Sequence, residues 1–225
     1  MGSVTTVGKC YLCSSTFSKS SMTKHLQACQ RANQGPEQGK GRGRVKRLFH
    51  LVVEGRGLPQ YWLHVEVPAS ATLAELDDFL RDTWVECCGH LSAFTIGGVH
   101  YLDDPAYADE KTMRASLGKV LDVGTVFDYE YDFGSTTELR LRVLGEREGA
   151  ARGRSIEVLA RNDAPTIACD ECGKPATQIC SQCSWEGKGW LCDSCAAEHE
   201  CGDEMLLPVV NSPRVGVCGY TGETL

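Results

Sequence analysis

This 225-residue chain has no run of 18 or more apolar residues, which excludes a membrane-crossing helix. Its opening, Met1 to Cys13, lacks the apolar stretch that a secretory leader needs. The common catalytic signatures are missing too. There is no Ser-x-x-Lys, nucleophile elbow, phosphate-binding loop or His-Glu-x-x-His, and Gly97-Gly98 is too short to cradle a phosphate. Asp132-Phe133-Gly134 matches a kinase tripeptide but has no glycine-rich loop or His-Arg-Asp segment beside it, so it reads as a strand end. At 225 residues and 42% hydrophobic, the chain has enough for one modest core plus small satellites. The expectation is an intracellular, cytoplasmic protein with no membrane partner and no built-in reaction.

Cysteine, by contrast, is abundant. Thirteen cysteines in a chain read as intracellular argue for metal ligation over disulfides. Ten fall in two clusters: Cys10, Cys13 and Cys29, then Cys169, Cys172, Cys180, Cys183, Cys192, Cys195 and Cys201. Cys87, Cys88 and Cys218 lie outside them.

Charge is divided along the chain. Residues 1–47 carry nine Lys/Arg against one Glu, whereas residues 48–160 have a balance of -9 and residues 161–225 one of -6. A basic head on an acidic body suits an anionic partner, or can fold back on its own body. Gly-rich, charged residues 34–45 read as a flexible linker, and a second breaker lies near Glu148 to Arg154. The expected organisation is a zinc finger at 1–33, the linker at 34–45, an α+β domain at 46–148, a connector at 149–164 and a double-zinc domain with its tail at 165–225.

In the first segment, Cys10-x2-Cys13-x11-His25-x3-Cys29 offers two ligands on a knuckle and two on one helical face. Met22, His25, Leu26 and Cys29 follow the i, i+3, i+4, i+7 pattern, and Phe17 with Met22 would form a core too small to hold without metal. The set resembles the finger with two cysteines and two histidines, in the variant whose last histidine is cysteine. Lys19, Lys24, Lys40, Arg42, Arg44, Lys46 and Arg47 are candidate phosphate contacts.

The middle reads as strands at Leu48–Glu54, Tyr61–Val67, Phe94–Ile96, Val99–Leu102, Thr125–Tyr131 and Glu138–Leu144, with Pro59 interrupting the first connection. Thr72-Leu73-Ala74-Glu75 fits a capping box opening a helix that runs to about Cys87, where Cys87 is a small buried apolar residue. Leu117–Leu121 fits a short helix or turn. The fold class is α+β: a mixed or antiparallel sheet with one main packed helix, flanked by the two zinc modules.

The run Tyr61-Trp62-Leu63-His64-Val65-Glu66-Val67-Pro68, then Gly89-His90-Leu91-Ser92-Ala93-Phe94, Leu117-Gly118-Lys119-Val120-Leu121 and Phe127 to Gly134 resembles the plasmid open-reading-frame-three-like family. The resemblance spans about residues 46 to 146. It implies an α+β fold and a link to mobile elements, with no activity to carry over. Family members continue Asp-Phe-Gly with Asp-x-Trp-x-His and carry paired histidines in the helix-to-strand corner. Here Ser135-Thr136-Thr137 follows Gly134, and the corner has His90 and Ser92.

His64, His90, Asp128, Glu130 and Asp132 form the candidate polar site of the middle domain. The three acids alternate with Tyr129, Tyr131 and Phe133, which fits either a cation site or the wet face of a sheet. Cys88 and His90 could in principle form a nucleophile pair, but no orienting group is identifiable.

At the C-terminal end, Cys169-x2-Cys172-x7-Cys180-x2-Cys183-x8-Cys192-x2-Cys195-x3-His199-x-Cys201 supplies eight zinc-competent ligands. Either the first four cysteines share one ion, or the pairs interleave as Cys169, Cys172, Cys192, Cys195 and Cys180, Cys183, His199, Cys201. Cys218 could replace Cys201. The pattern resembles the cross-braced group of B-box, AN1 and MYND fingers. Ile179, Trp185, Trp190 and Leu191 are expected to pack between the sites.

Three structural zinc ions in a non-enzymatic adaptor or regulatory protein, contacting nucleic acid or protein, is the leading expectation. An enzyme or small-ligand binder using the middle domain is the alternative, and a thiol-based redox or metal sensor a third.

Overall fold

A computed structural model describes residues 6–32, 46–149 and 156–222. The linker and its Lys40, Arg42 and Arg44 lie outside the described residues. The chain forms two compact units, one of residues up to 79 with 92–131 and 138–163, the other of 80–91, 132–137 and 164 onward.

The first unit is built on one ten-stranded mixed sheet. It begins with β1 (Val7–Cys10) and β2 (Thr16–Ser18), followed by helix α1 (Lys19–Ala32). Then come β3 (Lys46–Gly55), β4 (Leu58–Pro68), α2 (Leu73–Leu80), β5 (Ser92–Ile96), β6 (Val99–Leu102), β7 (Lys111–Thr112), α3 (Leu117–Val120), β8 (Val126–Tyr131), β9 (Thr137–Gly149) and β10 (Glu157–Asn162). The spatial order is β2-β1-β10-β4-β3-β9-β8-β5-β6-β7, antiparallel where pairs are resolved except for β6 with β7.

Alternation along β4 explains what this sheet can do. Tyr61, Leu63, Val65 and Val67 share one face and are fully or nearly fully buried. Trp62, His64 and Glu66 share the other, and they are buried too, because α1 lies over that side. Trp62 packs with Met22, Leu26, Cys10 and Cys29 of the N-terminal segment and with Leu159 and Ala160 of β10. The expected single main helix is therefore two: α1, at 14 residues, and the eight-residue α2.

α2 opens with the predicted capping box. Thr72 N–H donates to Glu75 Oε2 at 2.8 Å, and Glu75 N–H returns to Thr72 Oγ1 at 3.2 Å. Asp77 of α2 accepts from Ser92 Oγ and from Tyr129 Oη, both at 2.7 Å, tying the helix to β5 and β8. The helix ends before the expected Cys87, closing in a π turn over Arg81–Val85. Cys87 is half-buried beyond that turn rather than a core residue.

Two sequence expectations about boundaries need correction. Residues 157–162, assigned to a connector, form β10, which pairs with both β4 and β1. A register shift between Val158 and Ala160 puts Leu159 and Ala160 both inside, which erases the period-2 pattern that marks a strand. The N-terminal finger is consequently no free-standing module: its hairpin continues the central sheet through β10. Pro59 sits within β4 near its start, where a missing N–H is tolerated.

The second unit carries a three-stranded sheet, β12-β11-β13, made from β11 (Gln178–Cys180), β12 (Trp190–Leu191) and β13 (Leu206–Pro208). One short helix, α4 (Asp193–Ala196), follows β12. One apolar cluster gathers Leu191, Ala196 and Leu206 with the thiols of Cys169, Cys192 and Cys195, and Ile179, Cys180 and Tyr220 are buried as well. A cluster built so largely from thiols suits cross-links of another kind.

Candidate metal centres

In the first unit, β1 delivers Cys10 and the following turn brings back Cys13. Ser14 N–H donates to Cys10 O at 2.8 Å, and Ser14 takes a left-handed φ of 62° that lets the chain reverse. α1 presents His25 and Cys29 one turn apart, on the face that buries Met22 and Leu26. The donor atoms of Cys10, Cys13, His25 and Cys29 all lie within 4.8 Å of one another. Cys13 Sγ and His25 Nε2 are 3.4 Å apart, and Phe17 stacks on the imidazole at 3.8 Å. Bonds of about 2.0 to 2.3 Å in a tetrahedron put neighbouring donors roughly 3.4 to 3.8 Å apart, so the spacing suits zinc.

In the second unit the C-terminal ligands form two quartets that interleave. Cys169, Cys172, Cys192 and Cys195 form one, while Cys180, Cys183, His199 and Cys201 form the other. Cys172 and Cys192 sulfurs are 3.6 Å apart; Cys183 Sγ lies 3.6 Å from His199 Nε2 and 3.7 Å from Cys201 Sγ. The Cys169–Cys172 turn repeats the N-terminal knuckle, with Gly173 at φ 72° where Ser14 stands in the first. Asp170 braces the loop between the groups, its Oδ2 accepting from Gly189 N–H at 2.7 Å and Trp190 N–H at 2.9 Å. Cys218 belongs to neither quartet.

Electrostatics inside the quartets favours a cation. Hydrogen bonds from the Ser15 side chain and backbone hold the Cys13 thiol down at about 6. Burial pushes Cys169 up, but backbone N–H donors from Cys192, Cys172 and Glu171 prevail and hold it at about 6. Other members are driven the opposite way: burial and Cys13 push Cys29 up to about 11, and Cys180 pushes Cys183 up to about 12. Adjacent thiolates repel one another, and a divalent ion supplies the positive charge that lets all of them ionise.

The candidate polar residues of the middle domain are divided between the two units. Asp128 spends its carboxylate on Arg140, at 2.9 and 3.3 Å, and Glu130 alternates with the buried Tyr129 and Tyr131 along β8. Asp132 leaves the strand at φ 65° and belongs, with His90, to the second unit. There its Oδ2 accepts from Arg214 Nη2 at 2.8 Å, which holds the carboxyl down at about 2. His64 belongs to the first unit. The strand-face reading failed because a positive φ ended the alternation at Asp132.

His64 has a partner the sequence did not indicate. His50 Nε2 stands 3.0 Å from His64 Nδ1, both on the face under α1. Beside them Glu66 accepts a fork from Arg147, at 2.7 and 2.5 Å, and a bond from Gln30 of α1 at 2.9 Å. A cavity of about 350 Å³ opens here, lined by Arg31, His50, Glu66 and Arg147 among others. The signal that could have found it is the alternation of Trp62, His64 and Glu66 along β4.

The basic candidates are partly committed internally. Lys19 Nζ lies 3.1 Å from Glu54 and donates to Pro59 O at 3.0 Å, while Arg47 lies 2.6 Å from Glu146. Lys24 and Lys46 are exposed. Trp185, expected inside, is 75% exposed, because the one-turn segment Cys183–Glu186 has no fully buried position to offer it. Among the described residues, no helix is long and apolar enough to cross a membrane.

The profile of the Plasmid pRiA4b ORF-3-like protein family matches residues 51–173, more than half of the chain. The chain belongs to this family. The pRiA4b ORF-3-like region takes in the second half of β3, all of β4 to β10 and the Cys169–Cys172 knuckle, so it reaches well past the boundary near residue 146 expected from motifs alone. The N-terminal quartet and the last C-terminal ligands lie outside it. No curated protein matches the chain. Among solved structures, the protein of unknown function MM3350 from Methanosarcina mazei Go1 is similar, with 17% identity and a TM-score of 0.44 over 57% of this chain and 75% of that one.

Proposed function

We propose that this pRiA4b ORF-3-like protein is a non-catalytic, zinc-scaffolded adaptor of the cytoplasm. Its three structural ions are held by Cys10, Cys13, His25, Cys29; by Cys169, Cys172, Cys192, Cys195; and by Cys180, Cys183, His199, Cys201. One observation carries the reading: each quartet has four Cys/His donors at tetrahedral spacing, which leaves no coordination position for water or substrate. Thiolate and imidazole donors in this mixture favour zinc over harder cations. The ions would act on the fold, cross-linking the C-terminal unit and pinning the N-terminal hairpin and helix to the sheet.

The basic N-terminal region supplies the contact with an anionic partner. Lys24, Lys46 and the segment with Lys40, Arg42 and Arg44 are its phosphate-facing cations, whereas Lys19 and Arg47 would have to leave Glu54 and Glu146 to join them. Gel-shift titration of the zinc-loaded chain at several salt concentrations tests this part. Binding that weakens steeply with salt and ignores sequence supports phosphate contact, and absence of binding at low salt overturns it. Native mass spectrometry with and without chelator tests the metal: retention of no zinc overturns the scaffold reading.

A second reading, a small-ligand binder in the first unit, is favoured by the cavity beside Arg31, His50, Glu66 and Arg147. Chemical-shift changes at His50 and Arg147 on adding small anions would support it; unchanged spectra would end it.

A further inference from the structure

Three cysteines were left over from the sequence clusters, and the second unit brings them together with a histidine. Cys87 and Cys88 sulfurs lie 3.7 Å apart, and Cys88 and Cys218 sulfurs 3.8 Å apart. His90 Nε2 is 3.0 Å from Cys88 Sγ and 3.3 Å from Cys218 Sγ. All four donor atoms fall within 4.8 Å of one another, as in the other three quartets. Sulfur spacings near 3.8 Å are those of a tetrahedral zinc, whereas a disulfide needs about 2.0 Å.

The corner is shaped by residues that are not donors. After the π turn, Arg81 donates to Glu86 Oε2 at 2.8 Å and to His90 O at 2.7 Å. Glu86 Oε1 accepts from Gly89 N–H at 2.6 Å, and Gly89 turns at φ 76°. Ser212 Oγ anchors the C-terminal segment by donating to Trp84 O at 2.5 Å. Cys218 itself sits at φ 50°, a conformation unfavourable for a non-glycine residue and found most often where a site requires it.

Charge is balanced around the same point. Three thiolates and a neutral imidazole on a divalent ion leave one negative charge. The fully buried Arg214 donates to Cys87 Sγ at 3.3 Å, the outer hydrogen bond that orients and steadies a thiolate ligand. A nucleophile reading of Cys88 and His90 fits less well. Asp132 Oδ2 approaches His90 at 3.5 Å on Nε2, the same nitrogen that faces both sulfurs, whereas an orienting carboxylate engages the other ring nitrogen.

We propose that Cys87, Cys88, His90 and Cys218 bind a fourth zinc ion, which clamps the C-terminal tail onto the 80–91 segment. The site is separate from the three ions of the adaptor reading. Two of its thiols, Cys88 and Cys218, are exposed, so this ion should be the first to leave.

Native mass spectrometry of the full chain grown with zinc should find four ions, and Cys88→Ser and Cys218→Ser should each lower the count to three. Three ions in the wild type, or four in C218S, would overturn the fourth site alone; no zinc at all would overturn the adaptor reading with it. Should either variant misfold, the wild type can be labelled with N-ethylmaleimide and mapped. Cys88 and Cys218 should react at least about tenfold more slowly with zinc than after chelation. Equal labelling in both states, or a mapped Cys88–Cys218 disulfide in the zinc-grown protein, would refute the site.

Discussion

His50 Nε2 and His64 Nδ1 meet at 3.0 Å on the sheet face under α1, where both rings are buried. Register makes them diagonal neighbours, since Val52 is opposite His64 and His50 opposite Glu66. One ring must donate and the other accept, which requires at least one neutral imidazole. Burial lowers His50 to about 4, and burial with the charges of His50 and Lys19 lowers His64 to about 3. Both are neutral at physiological pH.

This pair makes the first unit sensitive to acid. Between the ordinary histidine value of 6.5 and about 4, the unfolded chain takes up protons that the folded pair refuses. Stability should be constant above about pH 7, fall as pH drops below 6.5 and level off below the folded values, for a total on the order of several kcal/mol. Imidazole resonances of His50 and His64 should show no titration step between pH 5 and 8. A step near 6.5 for either ring would refute the buried neutral pair.

Gly8→Ala should tear the N-terminal hairpin from β10. A Cβ there would strike Arg161 O, with Trp62 Cη2 at 2.5 Å and Asn162 Cα at 2.7 Å, and two of these three atoms are backbone that cannot step aside. Overpacking of this kind costs about 2 to 3 kcal/mol. The variant should melt correspondingly lower in a thermal scan; an unchanged midpoint would mean that the hairpin does not pack on β10.

Glu66→Ala should be among the most damaging single changes in the sheet. It strands the Arg147 guanidinium, whose side chain is only 19% exposed, and removes the acceptor of Gln30. Breaking a buried pair from one side costs roughly 3 to 5 kcal/mol. Denaturant unfolding checks it, and restoration by the double change Glu66→Leu with Arg147→Met would identify the stranded charge as the cause.

What was legible in the sequence follows from range. Strands β3 to β6, β8 and β9 announced themselves by alternation, and the α2 cap by its Thr72 and Glu75, since both signals are local. The N-terminal quartet and the C-terminal ligands were legible as spacings for the same reason, while spacing left open whether the C-terminal pairs are sequential or interleaved. β10 was not, because a bulge at Val158 to Ala160 broke its period. The His50 and His64 contact was hidden because it depends on which side of β4 receives α1, a long-range fact. Cys218 lies 130 residues from Cys88, and no local pattern links them.

Zinc removal should act unevenly on the first unit. The N-terminal segment packs Cys10, Met22, Leu26 and Cys29, with Leu12 and Phe17 at their edge, against Trp62, Leu159 and Ala160, a core too small to hold α1 without its ion. β10 also pairs with β4, a contact that does not run through β1. Hydrogen exchange after chelation should therefore rise at least about tenfold across residues 7–32, while amides of β3, β4 and β9 stay protected. Retained protection in α1 would show that docking on Trp62 alone suffices. Loss throughout the sheet would show that the ion holds far more of the unit than its four ligands.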